Sequence, residues 1–522
     1  MDHFEVIVIG GGVNSLVTAA ILGQSGKQVL LLESREKVGG IASTEELIPE
    51  YKCNLVNDYI NWIDPRVMNK LNLSTFGLKL ESPELVRIAL DTNGKHILFN
   101  RDVKKTAESI SVHSVKDSQS WKKFTDRIKN INHFLEKLYE LTPPKLPDVG
   151  LMEAFSFRSI LPPFIKQGTK GAIDLVRVIP MMMVELMDEW FESELLRGSL
   201  SSAGIRHITQ GPFSAATGLN FLHQHIHANG VVHNGQFIKG GTGELAKAVK
   251  LSAESANVEI RTNSKIKSIN VENGICKGVT LESGETIQAD QIVSGLDPNN
   301  TFINLMGAEK LSPRFHTRLR NIKYRGSTAR IHFALNELPE IDGVAKNNMG
   351  TIFSIAPSIS YLERAFDASK YGTISEKPFV EFSFPSVINS EFAPNRKHVL
   401  SATVQFAPYH LRSQKWSAGL KEKLKNNVGR VLENYVPGFP SLIEESVVFS
   451  PVDLEEKLGL TDGNLNHGEM TLDQFFFMRP SMNLAQYKTP IENLFLCGPG
   501  THPGGELHGA NGFNAAREIL KK

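Results

Sequence analysis

Glycines set between an apolar strand and a helix occur at both ends of this 522-residue chain, and they constrain its fold more than any other feature. Phe4–Ile9 (FEVIVI) is a short β-branched run of the kind that forms a parallel strand buried on both faces. Gly10, Gly11 and Gly12 end it, Val13–Gln24 then carries apolar residues at helical spacing, and Gly26 is a helix stop. Gln28–Leu32 (QVLLL) reads as a second strand ending in Glu33. In such a βαβ unit Gly10 permits the tight turn and Gly12 lets backbone approach a pyrophosphate. The helix opening at Val13, Asn14 and Ser15 offers unpaired N–H groups and a partial positive charge. Glu33 stands where an adenosine ribose needs an acceptor. Ser15 replaces the third glycine of this fingerprint, small enough to fit at some loss of closeness.

The C-terminal segment repeats the logic. Leu494–Cys497 reads as a buried strand, Gly498-Pro499-Gly500 as its turn, and Gly509-Ala510-Asn511-Gly512 with Asn514–Leu520 as the opening of a final helix. Together the two ends predict that the termini meet around one dinucleotide. Immediately behind the ribose acid come Ser34, Arg35 and a second glycine turn, Gly39-Gly40-Ile41.

ESREKVGGIAS resembles the E-x-R-x-x-x-G-G segment of the FAD-dependent amine oxidase and phytoene desaturase superfamily. There the glycine doublet keeps side chains clear of the FAD diphosphate and ribityl. Amine oxidases usually carry arginine after the doublet, so Ile41 favours the carotenoid-desaturase side. CGPGTHPGG followed by GA-x-G-x-NAA is similar to the closing motif of bacterial phytoene desaturases and of the group called pyridine nucleotide-disulfide oxidoreductase domain-containing protein 2. The resemblance implies that Gly498 approaches the phosphate and ribityl. It also implies that the helix start around Leu507, Gly509 and Ala510 faces the flavin pyrimidine, where a helix N-terminus stabilises negative charge by about 1 kcal/mol. Lys239-Gly240-Gly241-Thr242-Gly243-Glu244-Leu245 resembles the family's K-G-G-x-G-x-L return segment. The period-two meander from Val258 to Gly295 is expected to set backbone of Ile266 against the adenine. A plain β-hairpin domain would explain that alternation equally well.

The implied fold is α/β: a Rossmann-like FAD-binding domain of the glutathione reductase type, amine oxidase-like, from residues 1–64, 235–305 and 475–522. A discontinuous α+β substrate domain takes 65–234 and 306–474, a mostly helical insertion plus a mixed sheet. Trp121–Leu141 reads as a long helix and Met181–Leu200 as a methionine-rich amphipathic one. Ala329–Ala334, Phe379–Phe384 and Val399–Phe406 read as strands.

Composition removes several function classes. With 57 basic against 56 acidic side chains there is no field to attract nucleic acid. Cys53, Cys276 and Cys497 are too widely spaced for a CxxC redox pair or a metal quartet. His223, His225 and His227 fall in a helical stretch without carboxylate or cysteine partners at a familiar spacing, so no metal site is expected. The N-terminus enters its strand at once and no run of ~18 apolar residues exists. The expectation is a cytoplasmic protein. Phe155–Phe164 is a candidate for peripheral membrane contact, its plainer alternative being a cover over the substrate cavity.

His502, Glu506 and His508 fall inside the C-terminal motif. They are the candidate catalytic residues, one of them bordering the flavin and handling a proton, the alternative being that they hydrogen-bond the turn. The expected function is an FAD-dependent, desaturase-like oxidoreductase moving hydride between flavin N5 and a C–C bond of an apolar, isoprenoid or polyene-like small molecule. Desaturases, saturases and isomerases share these motifs, so the direction of the redox change, like the oligomeric state, stays open. One alternative is a flavin amine oxidase, which needs a lysine-held water that no lysine here can be assigned to hold. Another is an FAD-binding scaffold without turnover.

Overall fold

The computed structural model describes residues 3–145, 158, 168–231, 235–505 and 507–521. The N-terminal unit forms β1 (His3–Ile9), α1 (Val13–Gln24) and β2 (Val29–Leu32). β1 pairs in parallel with β2 on one side and with Thr286–Ser294 on the other. Glu259–Arg261 extends the sheet beyond β2, and Leu494–Leu496 adds in parallel to the C-terminal end of Thr286–Ser294. The first half of Thr286–Ser294 instead pairs antiparallel with Ile275–Leu281, which returns to Ile266–Glu272. Strands from the start, middle and end of the chain therefore share one sheet.

α1 shows why the termini must meet. Every residue from Val13 to Gly23 is buried, because the helix lies between Gly243–Ser255 and Ala510–Leu520. The hydroxyl of Thr18 donates to the Asn14 carbonyl at 2.9 Å and to the Gly512 carbonyl at 3.1 Å. The Gly512 amide donates to the Asn14 side-chain oxygen at 3.3 Å. A side chain at Gly512 would begin 2.1 Å from the Asn14 carbonyl, so the close approach depends on glycine. Ser15 is accommodated differently from the glycine it replaces. It faces Gly295, where an added Cβ would lie 1.8 Å from the serine oxygen, so space surrendered on the helix is recovered on the facing strand end.

The second sheet has seven strands in the order Ile443–Phe449, Thr328–Leu335, His398–Gln405, Phe379–Ser383, Ile352–Ile355, Leu85–Ala89 and Ile97–Asn100. Only the pairing of Ile352–Ile355 with Leu85–Ala89 is parallel. Ile331, Phe333, Phe353, Phe382, Ala402 and Val404 pack with Leu424, Val428 and Leu432 of the helix Ala418–Glu433 in one apolar cluster. Within the first insertion helices predominate among the described residues, and Leu85–Ala89 and Ile97–Asn100 add two strands at one end of the sheet, Ile97–Asn100 forming its edge.

The Met181–Leu200 helix is also corrected. It is two helices, Met183–Asp188 and Glu194–Gly204. The buried carboxylate of Asp117 accepts the Glu192 amide at 3.0 Å and the Ser193 amide at 2.8 Å, and the Ser193 hydroxyl caps the second helix. Side chains thus satisfy the backbone more locally than a continuous helix would. Val115–Glu140 forms the long helix foreseen around Trp121. Phe155–Phe164 lies outside the described residues apart from Arg158. Among those described, no helix is long and apolar enough to cross a membrane.

Candidate cofactor and active site

A cavity of about 450 Å³ runs along the C-terminal ends of the parallel strands, within the size range of ligand sites. Gly10, Gly12, Val13, Asn14, Ser15, Glu33, Ser34, Arg35, Gly39, Gly40, Ile41, Ile266 and Leu507 all line it. Gly498, Gly509 and Ala510 do not. Gly498 presses on the Gly295 carbonyl and Gly509 on Val17 and Val67, so they hold the wall from behind. The Ala510 and Gly512 amides at the start of the last helix are taken by His508 Nδ1 at 3.1 Å and by Asn14 at 3.3 Å.

At one end of the cavity the Glu33 carboxylate accepts the Gly11 amide at 2.6 Å, the Arg35 amide at 2.8 Å and the Ser34 hydroxyl at 3.2 Å. The Ser264 amide donates to the Glu33 carbonyl at 2.8 Å, which brings Ser264, Lys265 and Ile266 beside that acid. Gly39 adopts φ 133°, and its amide donates to the Gly11 carbonyl at 2.8 Å, clamping the two glycine turns together. A Cβ there would lie 2.4 Å from the Ala42 carbonyl, so no other residue fits.

Arg35 braces the wall more than it faces the cavity. Its guanidinium donates to the Gly40 carbonyl at 3.3 Å and pairs with Glu45 at 2.5 Å, and Glu45 pairs with Lys457 at 2.8 Å. Burial pushes the Glu45 carboxyl up, but Lys457 and Arg35 overcome it and hold it below the usual range.

Sequence reasoning did not reach the outer wall, built from Glu456–Leu460, Leu465 and His467. The helix Pro451–Leu458 carries a readable start, with Ser450 and Asp453 forming a reciprocal cap. Its placement over the cavity is tertiary. Buried Asp297 accepts the Asn300 side-chain amide at 2.6 Å and the Thr461 hydroxyl at 2.9 Å, pinning the segment to the strand end. Nδ1 of His467 is buried without a hydrogen-bond partner among the described residues, and burial depresses its pKa against the pull of Asp297. Beside it the buried guanidinium of Arg479 donates only to carbonyls, including those of Asn466 at 2.7 Å and Pro499 at 2.9 Å. Desolvation lowers its pKa to about 10.

The candidate catalytic histidines sit elsewhere. His508 is stacked on Trp62 with ring centroids 4.0 Å apart. Its Nδ1 accepts the Ala510 amide and its Nε2 meets the Gly504 carbonyl at 2.5 Å, so both nitrogens serve the turn. His502 meets the Leu138 carbonyl at 3.1 Å, and burial drops its pKa to about 3, leaving it neutral near pH 7. Neither lines the 450 Å³ cavity, His508 lines the small chamber that shares Leu507 with it, and Glu506 lies outside the described residues.

The remaining candidates are resolved by their partners. His223 contacts the Tyr139 hydroxyl at 2.9 Å, His225 the Phe221 carbonyl at 2.7 Å, and His227 pairs with Glu136 at 3.5 Å. Among the described residues no cluster of His, Cys, Asp or Glu could hold a metal ion. The three cysteines are buried and unbridged, and desolvation raises Cys53 to about 12 and Cys276 and Cys497 to about 11.

Leu507 also lines a second chamber of about 30 Å³, with Tyr59, Asn61, Trp62, Arg206, His223, Gln224 and the candidate His508. Asn61, Arg206 and Gln224 continue into a third of about 20 Å³, floored by Glu381, Thr403 and Gln405. A chain of small polar chambers thus leads from the Leu507 side of the large cavity onto the second sheet.

The family model described as flavin containing amine oxidoreductase matches residues 16–520, and the chain belongs to that family. It is 30% identical to pyridine nucleotide-disulfide oxidoreductase domain-containing protein 2 of Rattus norvegicus, covering 99% of this chain and 94% of that one. It is 23% identical to the lycopene-forming phytoene desaturase of Pantoea ananas over 97% of this chain and 96% of the other. Among solved structures, an oxidoreductase from Methanosarcina mazei superimposes with a TM-score of 0.62 at 13% identity, covering 99% and 100% of the two chains. The architecture is accordingly the Rossmann-like FAD-binding fold of the amine oxidase superfamily with a separate α+β part.

Proposed function

We propose that this member of the flavin containing amine oxidoreductase family binds FAD in the 450 Å³ cavity and oxidises a C–H bond of a small organic molecule on the Leu507 side. The observation that carries the reading is the cavity wall itself, formed jointly by Gly10–Ser15, Glu33–Arg35, Gly39–Ile41 and Leu507, with an acid at one end. The residues fit the cofactor. A Cβ at Gly12 would meet nothing within 4 Å, so the backbone lies open at the helix start where a diphosphate would rest.

Glu33 would accept the ribose hydroxyls, the first amides of α1 would face the diphosphate, and Ser264–Ile266 would offer backbone to the adenine. Bound there, FAD supplies a hydride acceptor. The protein's part is alignment and exclusion of water: Leu507 separates the cavity from the inner chambers, and the cover from Pro451 to His467 closes the outer side.

Oxidation at a CH–CH group is the first reading, supported by Ile41 after the doublet and by the printed activity of the phytoene desaturase relative. Oxidation at a carbon beside nitrogen is the second, supported by the family's description. Purified protein should show a flavin visible spectrum and release FAD on denaturation. Anaerobic addition of primary amines or of unsaturated terpenoids then discriminates: bleaching by one class alone assigns the bond, and a colourless protein that cannot be reconstituted overturns the reading.

A further inference from the structure

The cover over the large cavity meets it with three leucines, Leu458, Leu460 and Leu465, and then with an imidazole, His467. A further apolar side chain would fill that place at less cost, because Nδ1 of His467 is withdrawn from water with no hydrogen-bond partner among the described residues. Burial lowers the pKa of the ring, so near pH 7 it is neutral, with one N–H and one bare nitrogen. Asp297 pulls the other way, but its two oxygens already accept the Asn300 side-chain amide at 2.6 Å and the Thr461 hydroxyl at 2.9 Å. The Arg479 guanidinium opposes protonation.

The turn after the last strand is shaped around this ring. A Cβ at Gly498 would lie 3.2 Å from Nδ1, and one at Gly500 would lie 2.9 Å from the His467 carbonyl and 3.2 Å from its Cβ. On the other side Asn464 fixes the backbone. Its carbonyl accepts the His467 amide at 3.3 Å, and its side-chain oxygen accepts the amides of Asn466 and Gly468, each at 3.0 Å. His467 is held at φ 52°, left-handed backbone that Gly and Asn enter more readily than most residues. Gly498 also presses on the Gly295 carbonyl, and Gly295 on Ser15, so the ring stands across the strand ends from the first turn of α1. With Nδ1 turned to Gly498, the ring edge that carries Nε2 is the one that meets the cavity.

We infer that His467 is a cofactor-contact residue, donating from Nε2 to an oxygen of the diphosphate–ribityl stretch of FAD beside the start of α1. A proton on Nδ1 would face Gly498 with no acceptor, so the neutral ring carries it on Nε2, at the cavity edge. Gly498, set behind the ring, makes room for this contact rather than making it. The role rests on the large cavity being the FAD site.

Three substitutions separate the contact from a role in backbone or packing. They are read by the rate of FAD loss from the loaded full-length protein, followed by flavin fluorescence, and by melts of the FAD-free proteins. Gln carries an amide N–H to about the Nε2 position; Asn suits left-handed backbone but reaches only the Nδ1 position, and Phe fills the space without a donor. His467→Asn and His467→Phe should speed FAD loss about tenfold or more, while His467→Gln stays within about threefold of the unaltered protein. No change in any variant overturns the inference. So does His467→Gln losing FAD as fast as His467→Asn, or FAD loss that merely follows the order of the melting temperatures. Should His467→Phe fail to fold, the comparison of His467→Asn with His467→Gln decides alone. Unaltered protein that takes up no FAD refutes the reading of the cavity and this contact together, whereas bound FAD with unresponsive variants refutes the contact only.

Discussion

Replacing Gly295 with alanine probes the closest approach in the cofactor half of the molecule. The new Cβ would stand 1.8 Å from the Ser15 hydroxyl oxygen, 3.2 Å from the Ser15 Cβ and 3.1 Å from the Ile9 carbonyl. No left-handed φ is required at Gly295, so the penalty is steric. The serine oxygen can rotate aside, but its Cβ and the strand carbonyl are fixed, so the wall must move by a few tenths of an ångström. Overpacking of this kind costs about 2 kcal/mol. Ser15→Gly alone costs about 0.5 kcal/mol through helix propensity. In the double variant two of the three close contacts disappear, so its cost should be about 0.5–1 kcal/mol rather than the additive value of about 2.5 kcal/mol.

Thermal melts and FAD titrations of the four proteins read this directly. For a cooperative unit of about 200 residues, Gly295→Ala should lower Tm by about 4–8 °C, with most of the loss recovered in the double variant. FAD affinity should follow the same pattern, weakened about 30-fold and then restored. Additive Tm losses, with no recovery on removing the Ser15 side chain, would refute the idea that Gly295 compensates for the missing third glycine.

Glu33→Ala removes an acceptor that holds the Gly11 amide at 2.6 Å and faces the cavity, so FAD affinity should drop about 10- to 100-fold by flavin fluorescence; unchanged affinity excludes a ribose role. His225 and His502 are buried with folded pKa values lowered from 6.5 to about 4 and about 3. The unfolded chain takes up protons first as pH falls below 6.5, so stability is full above that value. Each of these histidines then withdraws up to about 1.4 kcal/mol per pH unit until its folded pKa is reached. Melts at pH 7.5 and 5.5 should differ, less so in His502→Gln, and identical melts contradict burial of the neutral rings. Glu45→Ala unlinks Arg35 from Lys457 across the cavity cover. With these partly exposed partners stability should change by under about 1 kcal/mol while flavin dissociation accelerates; an unaltered off-rate shows that the ion pairs do not hold the cover.

Local pattern carried much of this protein. β1, α1, β2, the meander and the terminal strand and helix were legible because each rests on short-range rules: β-branched runs, helical spacing, and glycine where the backbone must turn. The same rules located Glu33, and the resemblance to the amine oxidase and phytoene desaturase superfamily pointed to the glycine doublet and Ile266; all lie on the cavity wall. The break between Met183–Asp188 and Glu194–Gly204 was not legible, since it depends on Asp117 of another helix taking the amides of Glu192 and Ser193. His502 and His508 were legible as members of the motif, but not what meets their rings: Leu138 for the one, and Trp62 with nearby backbone groups for the other.

The sequence by itself determined the strand–turn–helix grip at both ends and the acid beside it. Only the tertiary structure decided what covers that grip, with Pro451–His467 brought over it through Asp297, and what faces the chambers beyond Leu507. Alternation along a strand says that its two faces differ, but not which face meets water. Here the central strands are covered on both faces, so Thr403 and Glu381, with Arg330 in register beside them, form an interior floor. Which elements close over a sheet is set by long-range packing, and no local period encodes it.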